Sequence, residues 1–193
     1  LQNHFKDRCL ILRLPALFGQ GLRKNFIFDI INRCPKFLTK EKFQELSLND
    51  ENGEFHRYYL LNEKQMYELD SNISNEEKKE LIKFFEKNNF TALNFTHCDS
   101  KYQFYGLINL WSDISTAIQN NIRSLNICSE PVSAKEIASH FFNIKFENQT
   151  TAKLYDYDMQ TKHHKLWGNN KPYLYSKENT FKDLKNYFQE NRL

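Results

Sequence analysis

Three groups of side chains have residue types and spacings suited to chemistry. Tyr173 and Lys177 stand in a Tyr-x-x-x-Lys spacing, which on a helix sets an ammonium one turn from a phenol and draws its pKa down. Pro172 precedes the pair and the end of the sequence follows closely, so it reads as structural and not as a proton-transfer pair. His97, Cys98 and Asp99, and the pair His163 and His164, offer metal-ligating atoms. Adjacent residues rarely converge on one ion, and no i, i+4 histidine pair or second cysteine cluster completes a site, so no metal is expected. Arg13 interrupts an apolar run of Leu10, Ile11, Leu12 and Leu14. A guanidinium there needs an anionic or hydrogen-bonding partner. Asp113 is the expected one, in a structural tie from the first strand to a later helix, with direct ligand contact by Arg13 as the alternative.

A dinucleotide-binding turn needs G-x-G-x-x-G opening a helix, so that backbone amides can approach a pyrophosphate. With five glycines in the chain, Gly19 and Gly21 form a G-x-G without its third member. Arg23, Lys24 and Asn25 at a helix start could supply a different anion site, or could be a solvated helix entry. No nucleophile elbow or paired-carboxylate signature stands out.

The elements that must position these residues follow from patterning. Residues 10–14 predict a strand, stopped by Pro15, which lacks an N–H. Gly19 and Gly21 mark a turn. Residues 24–33 predict an amphipathic helix with Ile27, Ile30, Ile31 and Cys34 on one face, ended by Pro35. A short helix is expected at 40–46, a turn at 49–53, and a strand or loop at 55–61. Ser74 and Glu77 predict a capping box opening a helix over 74–88 with Leu81, Ile82, Phe84 and Phe85 inward. Strands are expected at 90–95, 103–107, 125–128 and 152–157. Helices are expected at 112–121, from Ser133 with Glu136 completing a second capping box, and at 180–189. Residues 1–8 predict the end of a helix. Alternating strands and helices indicate an α/β fold, with 36–100 as a small mixed α+β lobe inserted into the main sheet.

A chain of 193 residues with 40% hydrophobic and 26% charged residues can build a real core and is not a disordered composition. A net charge of +3 and a pI near 8.6 are too mild to mark a nucleic-acid binder. The four cysteines are dispersed, which suits a reducing, cytoplasmic setting, and no stretch is long and apolar enough for a membrane span. The chain begins with Leu, which suggests a fragment, a processed product or a trimmed chain.

Arg13, Leu14, Pro15, Ala16, Leu17, Phe18 and Gly19 resemble the R-x-x-N-x-Y-G-P segment of the extended short-chain dehydrogenase/reductases, the NAD-dependent epimerase/dehydratase family. Phe104 to Ile114, FYGLINLWSDI, is similar to that family's segment ending in an aspartate that opens a helix. Residues 166–188 resemble its C-terminal glycine, tyrosine and closing helix. The resemblance implies the C-terminal part of a Rossmann-like sheet carrying a substrate lobe, with the first dinucleotide-binding half and the catalytic Tyr-x-x-x-Lys upstream of residue 1. Residues 1–193 would then be a single substrate-binding domain of an enzyme using NAD or NADP on a sugar-like substrate, without activity or cofactor on its own. A free-standing, non-catalytic binding module derived from that lobe is the alternative. The resemblance further assigns Pro15, Ala16 and Leu17 to the nicotinamide; Arg13, Arg23, Lys24, Asn25 and Tyr105 are expected at the substrate. Ala16 replaces the family's sugar-holding asparagine, Gln20 the proline after the glycine, and Gly106 a phosphate-binding arginine found in many members. These departures speak against a nucleotide-diphospho-sugar. An open apolar strand edge at 10–14 leads us to expect a homo-oligomer.

Overall fold

The structure is a computed structural model describing residues 9–50, 53, 55–150 and 153–190. The expected helix at 1–8 lies outside the described residues. The fold is mixed α/β, with small parallel and antiparallel sheets and six α-helices among the described residues. No described helix is long and apolar enough to cross a membrane. The chain divides into two compact units: a lobe, Phe26–Thr96, and a unit made of the described residues up to Asn25 together with those from His97 onward.

In the second unit, β1 (Ile11–Arg13) pairs in parallel with β8 (Ser124–Asn126), and β2 (Ala16–Phe18) pairs in parallel with β7 (Phe104–Gly106). Pro15 separates the two pairings. It can donate no ladder bond, and immediately beyond it Ala16 N–H donates to the Gln103 carbonyl at 3.0 Å. The chain therefore changes neighbour at a residue that cannot continue the first ladder. Gly106 has a steric reason: a Cβ there would meet Phe18 Cζ at 3.1 Å, so the absence of a side chain lets that ring lie against β7.

One face of the β1–β8 pair is closed by α4 (Leu110–Gln119), which begins earlier than the predicted 112 because the 3-10 turn Leu107–Asn109 leads directly into it. Tyr105, Ala117, Ile122, Leu125, Ile127 and Leu174 form the core between them, with Leu12 and Leu110 packed against it. β6 (Lys101–Tyr102) and β9 (Val132–Ser133) form an antiparallel pair. Ser133 then caps α5 (Ala134–Phe142) by the expected reciprocal bonds with Glu136. Phe141, Phe181 and Phe188 join α5 to α6 (Lys177–Glu190). Residues 153–157 do not form the expected strand; they keep one parallel bridge, Lys101 to Asp156.

The lobe is built on an antiparallel sheet ordered β3 (Phe37–Leu38), β5 (Tyr67–Leu69), β4 (Tyr59–Leu61). Its helices are α1 (Asn25–Asn32), α2 (Lys40–Ser47) and α3 (Asn75–Lys87). Phe43, Phe55, Tyr59 and Phe85 fill its core with Cys34, Leu38, Leu46 and Leu81. Both halves of the Ser74–Glu77 capping box are present, and Leu81 and Phe85 are buried as their spacing predicts. The lobe includes nearly all of α1, which the sequence reading assigns to the main sheet. The expected strand at 90–95 is instead a 3-10 turn, Ala92–Phe95. Thr91 and Asn94 bond reciprocally to each other's backbone there, and such local bonds displace ladder pairing.

Asp29 in α1 is half-buried, and burial pushes its carboxyl up to about 7. A folded-state pKa above the unfolded value contributes stability that is complete below the unfolded pKa and is lost as pH rises through the folded one. Wild type should therefore lose stability between about pH 4 and pH 7 from this group. Asp29→Asn should remove that loss and be more stable at pH 8 by on the order of 2 kcal/mol, a figure reduced for partial solvent access. Urea midpoints of the two proteins at pH 5 and pH 8 check this; a constant offset at both values would contradict it.

Candidate functional site at the carboxyl ends of the parallel strands

In a strand, successive side chains point to opposite faces. Leu12 and its register partner Leu125 join the core against α4, so Arg13 and Asn126 fall on the other face. There Arg13 Nη1 donates to Ser124 Oγ and Asn126 Oδ1, each at 3.1 Å. The bonds continue outward. Asn126 Nδ2 donates to the Gln160 carbonyl at 2.8 Å, Gln160 Nε2 to Asp158 Oδ2 at 3.1 Å, and Tyr173 Oη to Asp158 Oδ1 at 2.6 Å. Gln103, itself buried, fixes this segment. Its amide donates to the carbonyls of Ser129 and Met159, and its carbonyl oxygen accepts from Met159 N–H at 2.7 Å.

The result is an exposed polar row at the carboxyl ends of β1 and β8, the end at which open α/β sheets bind ligands. Arg13 is held by neutral acceptors and pairs with no carboxylate among the described residues, so its full positive charge faces solvent. The Tyr173 phenol is pushed up to about 12, first by burial and then by Asp158, so it stays protonated at neutral pH. The row can bind an anion or a polyol through fixed donors and acceptors. It contains no activated nucleophile, and the Cys128 thiol beneath it is buried and pushed up to about 11.

The expected tie between Arg13 and Asp113 is not made. Asp113, one α-turn before Ala117, lies on the core face of α4, on Leu12's side of the sheet. Arg13, one residue further along β1, points to the opposite side. Asp113 is 2% exposed and accepts three uncharged donors: Tyr105 Oη at 2.6 Å, Trp167 Nε1 at 2.7 Å and Tyr175 Oη at 2.9 Å. Burial, reinforced by the Asp113 carboxylate, holds the Tyr105 and Tyr175 phenols far above their usual range. Tyr105, expected at the substrate, is thus a buried donor to Asp113 and cannot reach a ligand.

Pro15 lies between the two pairings, and Ala16 and Leu17 lie within β2. Ala16 N–H is spent on Gln103, and the Leu17 carbonyl accepts from Asn25 Nδ2 at 2.7 Å. Both groups thus already have a protein partner. Arg23 and Lys24 are exposed at the start of α1, apart from the polar row in sequence, and Asn25 is turned inward to Leu17. Tyr173 precedes α6 and Lys177 opens it, so their spacing spans no helical turn; Lys177 Nζ pairs with Glu136 at 2.6 Å. Donor atoms of His97, Cys98 and Asp99 lie within 4.8 Å of one another. Protein partners already engage two of them: Asp99 accepts from Lys135 Nζ at 2.6 Å, and His97 Nδ1 accepts from Asp99 N–H at 3.1 Å. The sequence reading missed Ser124, Asn126, Asp158 and Gln160. The Ser-Leu-Asn alternation of β8 is the only local signal for the first two.

Compared with protein-family models, curated proteins and solved structures, the chain has no match.

The two anchors predict opposite mutational behaviour. Asp113→Ala leaves one buried donor, Tyr105, and two partly buried ones, Trp167 and Tyr175, without this acceptor and should lose about 2–4 kcal/mol. Arg13→Ala, at an exposed position, should change stability by no more than about 0.5 kcal/mol. Equal losses in urea denaturation would instead indicate that the two act as one pair.

Proposed function

We propose that this chain is the substrate-binding portion of an NAD(P)-dependent epimerase, dehydratase or reductase acting on a sugar-like or nucleotide-sugar substrate. The observation that carries the reading is the exposed row from Arg13 to Tyr173, set at the carboxyl ends of a parallel strand pair. Two parallel pairings, with α4 on one face of the first, support a Rossmann-like sheet of which this chain would hold one part. The row's hydroxyl, amide, carboxylate and guanidinium groups match the alternating donors and acceptors of a polyol. Arg13 adds an uncompensated charge for a carboxylate or phosphate on it.

The described residues do not fit a dinucleotide. The G-x-G at Gly19 and Gly21 lacks its third glycine, and the backbone groups at Ala16 and Leu17 named above are engaged. No hydride or proton step is therefore derived from this chain. Its part in the proposed reaction is to bind and orient substrate beside a cofactor half that follows the resemblance. Raised phenol pKa values at Tyr105, Tyr173 and Tyr175 are consistent with that division, because a tyrosine acting as base near neutrality needs a lowered one. The outer edge of β1, which has no strand partner among the described residues, supports self-association of the chain.

Calorimetry of the chain with UDP-glucose, glucose 1-phosphate, glucose and NAD tests the reading. A phosphorylated sugar should bind, Arg13→Ala should weaken it about tenfold, and NAD alone should give no heat. Binding of NAD, or sugar-phosphate affinity unchanged in Arg13→Ala, would overturn it.

A further inference from the structure

The strongest unassigned feature is the solvent face of α4. The 3-10 turn Leu107–Asn109 and α4 set Ile108, Trp111, Ser115 and Ile118 at successive steps of three, four and three residues, the spacing that lines side chains up along one side of a helix. Ile108 is 82%, Trp111 77% and Ile118 61% exposed. The opposite side of the same helix packs inward through Leu110, Asp113 and Ala117. From Gly106 to Ile122 the single ionisable side chain is this buried Asp113, in a chain that is 26% charged. By contrast α3 faces solvent with Glu76, Lys79, Glu80, Lys83 and Glu86. The polar groups that remain on α4 already have partners within the helix. Ser115 Oγ donates to the Trp111 carbonyl at 2.9 Å, Thr116 Oγ1 to the Ser112 carbonyl at 3.0 Å and Asn120 Nδ2 to the Thr116 carbonyl at 2.8 Å. The face can therefore be covered without leaving these donors unpaired.

We propose that this face is the contact of a two-fold dimer, in which α4 of one chain lies antiparallel to α4 of a second copy. A two-fold axis sets a patch against itself, so any charge on the patch would meet its like. This one carries none. An acidic or basic foreign partner would find no charge here to pair with. Order along the stripe also suits a second copy. Trp111 and Ile118 stand about two turns apart with Ser115 between them. With the axis near Ser115, Trp111 covers the partner's Ile118 and the partner's Trp111 covers Ile118, while the small serines at the centre let the two backbones approach closely. One tryptophan and two isoleucines exposed to this degree offer on the order of 400 Å² per chain. That lies within the range of the largest apolar patch on a monomer, and is about half of what one side of a standard interface buries. The exposed Ser112 and Gln119 beside the stripe belong to the polar rim that completes such a contact. The contact is distinct from the β1 edge, which would join copies through backbone bonds, and it is independent of the sugar reading.

The test joins analytical ultracentrifugation to fluorine NMR of the chain carrying fluorotryptophan at Trp111 and Trp167. With rising concentration the mass should climb from 23.2 kDa toward twice that value. Over the same range the Trp111 signal should move, and that of Trp167, held by Asp113 on the inner side of α4, should stay. Trp111→Ala should weaken dimerisation about tenfold or more, with an unchanged circular dichroism spectrum. Ser115→Glu and Ser115→Lys set like charges against each other across the axis, so each chain alone should be monomeric. A one-to-one mixture of the two should dimerise again, which a misfolded variant could not do. The proposal is overturned if the chain stays monomeric to millimolar concentration with the Trp111 signal fixed, which would leave the face to another protein or to solvent. A dimer that survives both Ser115 variants would place the contact elsewhere, at the β1 edge for instance, and overturn it as well. A mixture that stays monomeric would equally overturn it by excluding the antiparallel arrangement about Ser115.

Discussion

The buried carboxylate of Asp113 is the constraint on which the larger unit depends. A carboxyl group taken out of water without a counter-ion is costly unless hydrogen bonds replace its hydration. Here they come from Tyr105 on β7, from Trp167 in the turn His164–Trp167, and from Tyr175 just ahead of α6. One segment eight residues away and two more than fifty residues away in sequence thus converge on one residue of α4. Such a network specifies position in a way that apolar contact does not, because each donor that fails to reach its acceptor is left unpaired in a dry environment. The side chains around it, Leu12, Leu110, Ala117 and Leu174, provide the burial that makes each of those bonds count.

This anchor and the exposed row are separated by one residue of β1. Leu12 faces the core that Asp113 organises, and Arg13 faces outward to Ser124 and Asn126. Because strand side chains alternate, fixing one face fixes the other: a one-residue slip of β1 against β8 would bury the guanidinium and expose the leucine. The precision of the outer row is therefore inherited from the inner core. Pro15 contributes by ending the first ladder at the point where the strand's ligand-facing end begins, so that Arg13 is the last residue of β1 and not one within a longer strand.

What could be read from the residues alone was whatever is decided locally. The capping boxes at Ser74 and Ser133 and the buried face of α3 depend on neighbours within a turn or two and are present, and the strand expected over 10–14 is present as the shorter Ile11–Arg13. Pairings between distant segments were not legible. Arg13 and Asp113 look like natural partners by charge, but charge does not say on which side of a sheet each residue lies, and three neutral donors satisfy Asp113 instead. The pattern Ser-Leu-Asn in β8 was open to reading as alternation, yet its meaning comes from lying beside Arg13 in register, more than a hundred residues away in sequence. Residues 90–95 show the reverse error, where apolar content suggested a strand and the Thr91 and Asn94 side chains closed a turn.

The Arg13 row and the segment that completes it differ in how they gain their order. The Arg13 row is ordered from below, by a parallel pair whose inner face is packed, and its groups are fixed by bonds to one another. Residues 155–160 are ordered from the side, by the bridge of Asp156 to Lys101 and by Gln103, which clasps Met159. Gln103 is the link between them. Its amide holds the segment that carries Asp158 and Gln160 into the polar row. A buried amide with three hydrogen bonds, two of them to Met159, leaves little freedom to the segment it grips. Residues 155–160, which have almost no regular secondary structure of their own, therefore present their hydrogen-bonding groups in fixed positions.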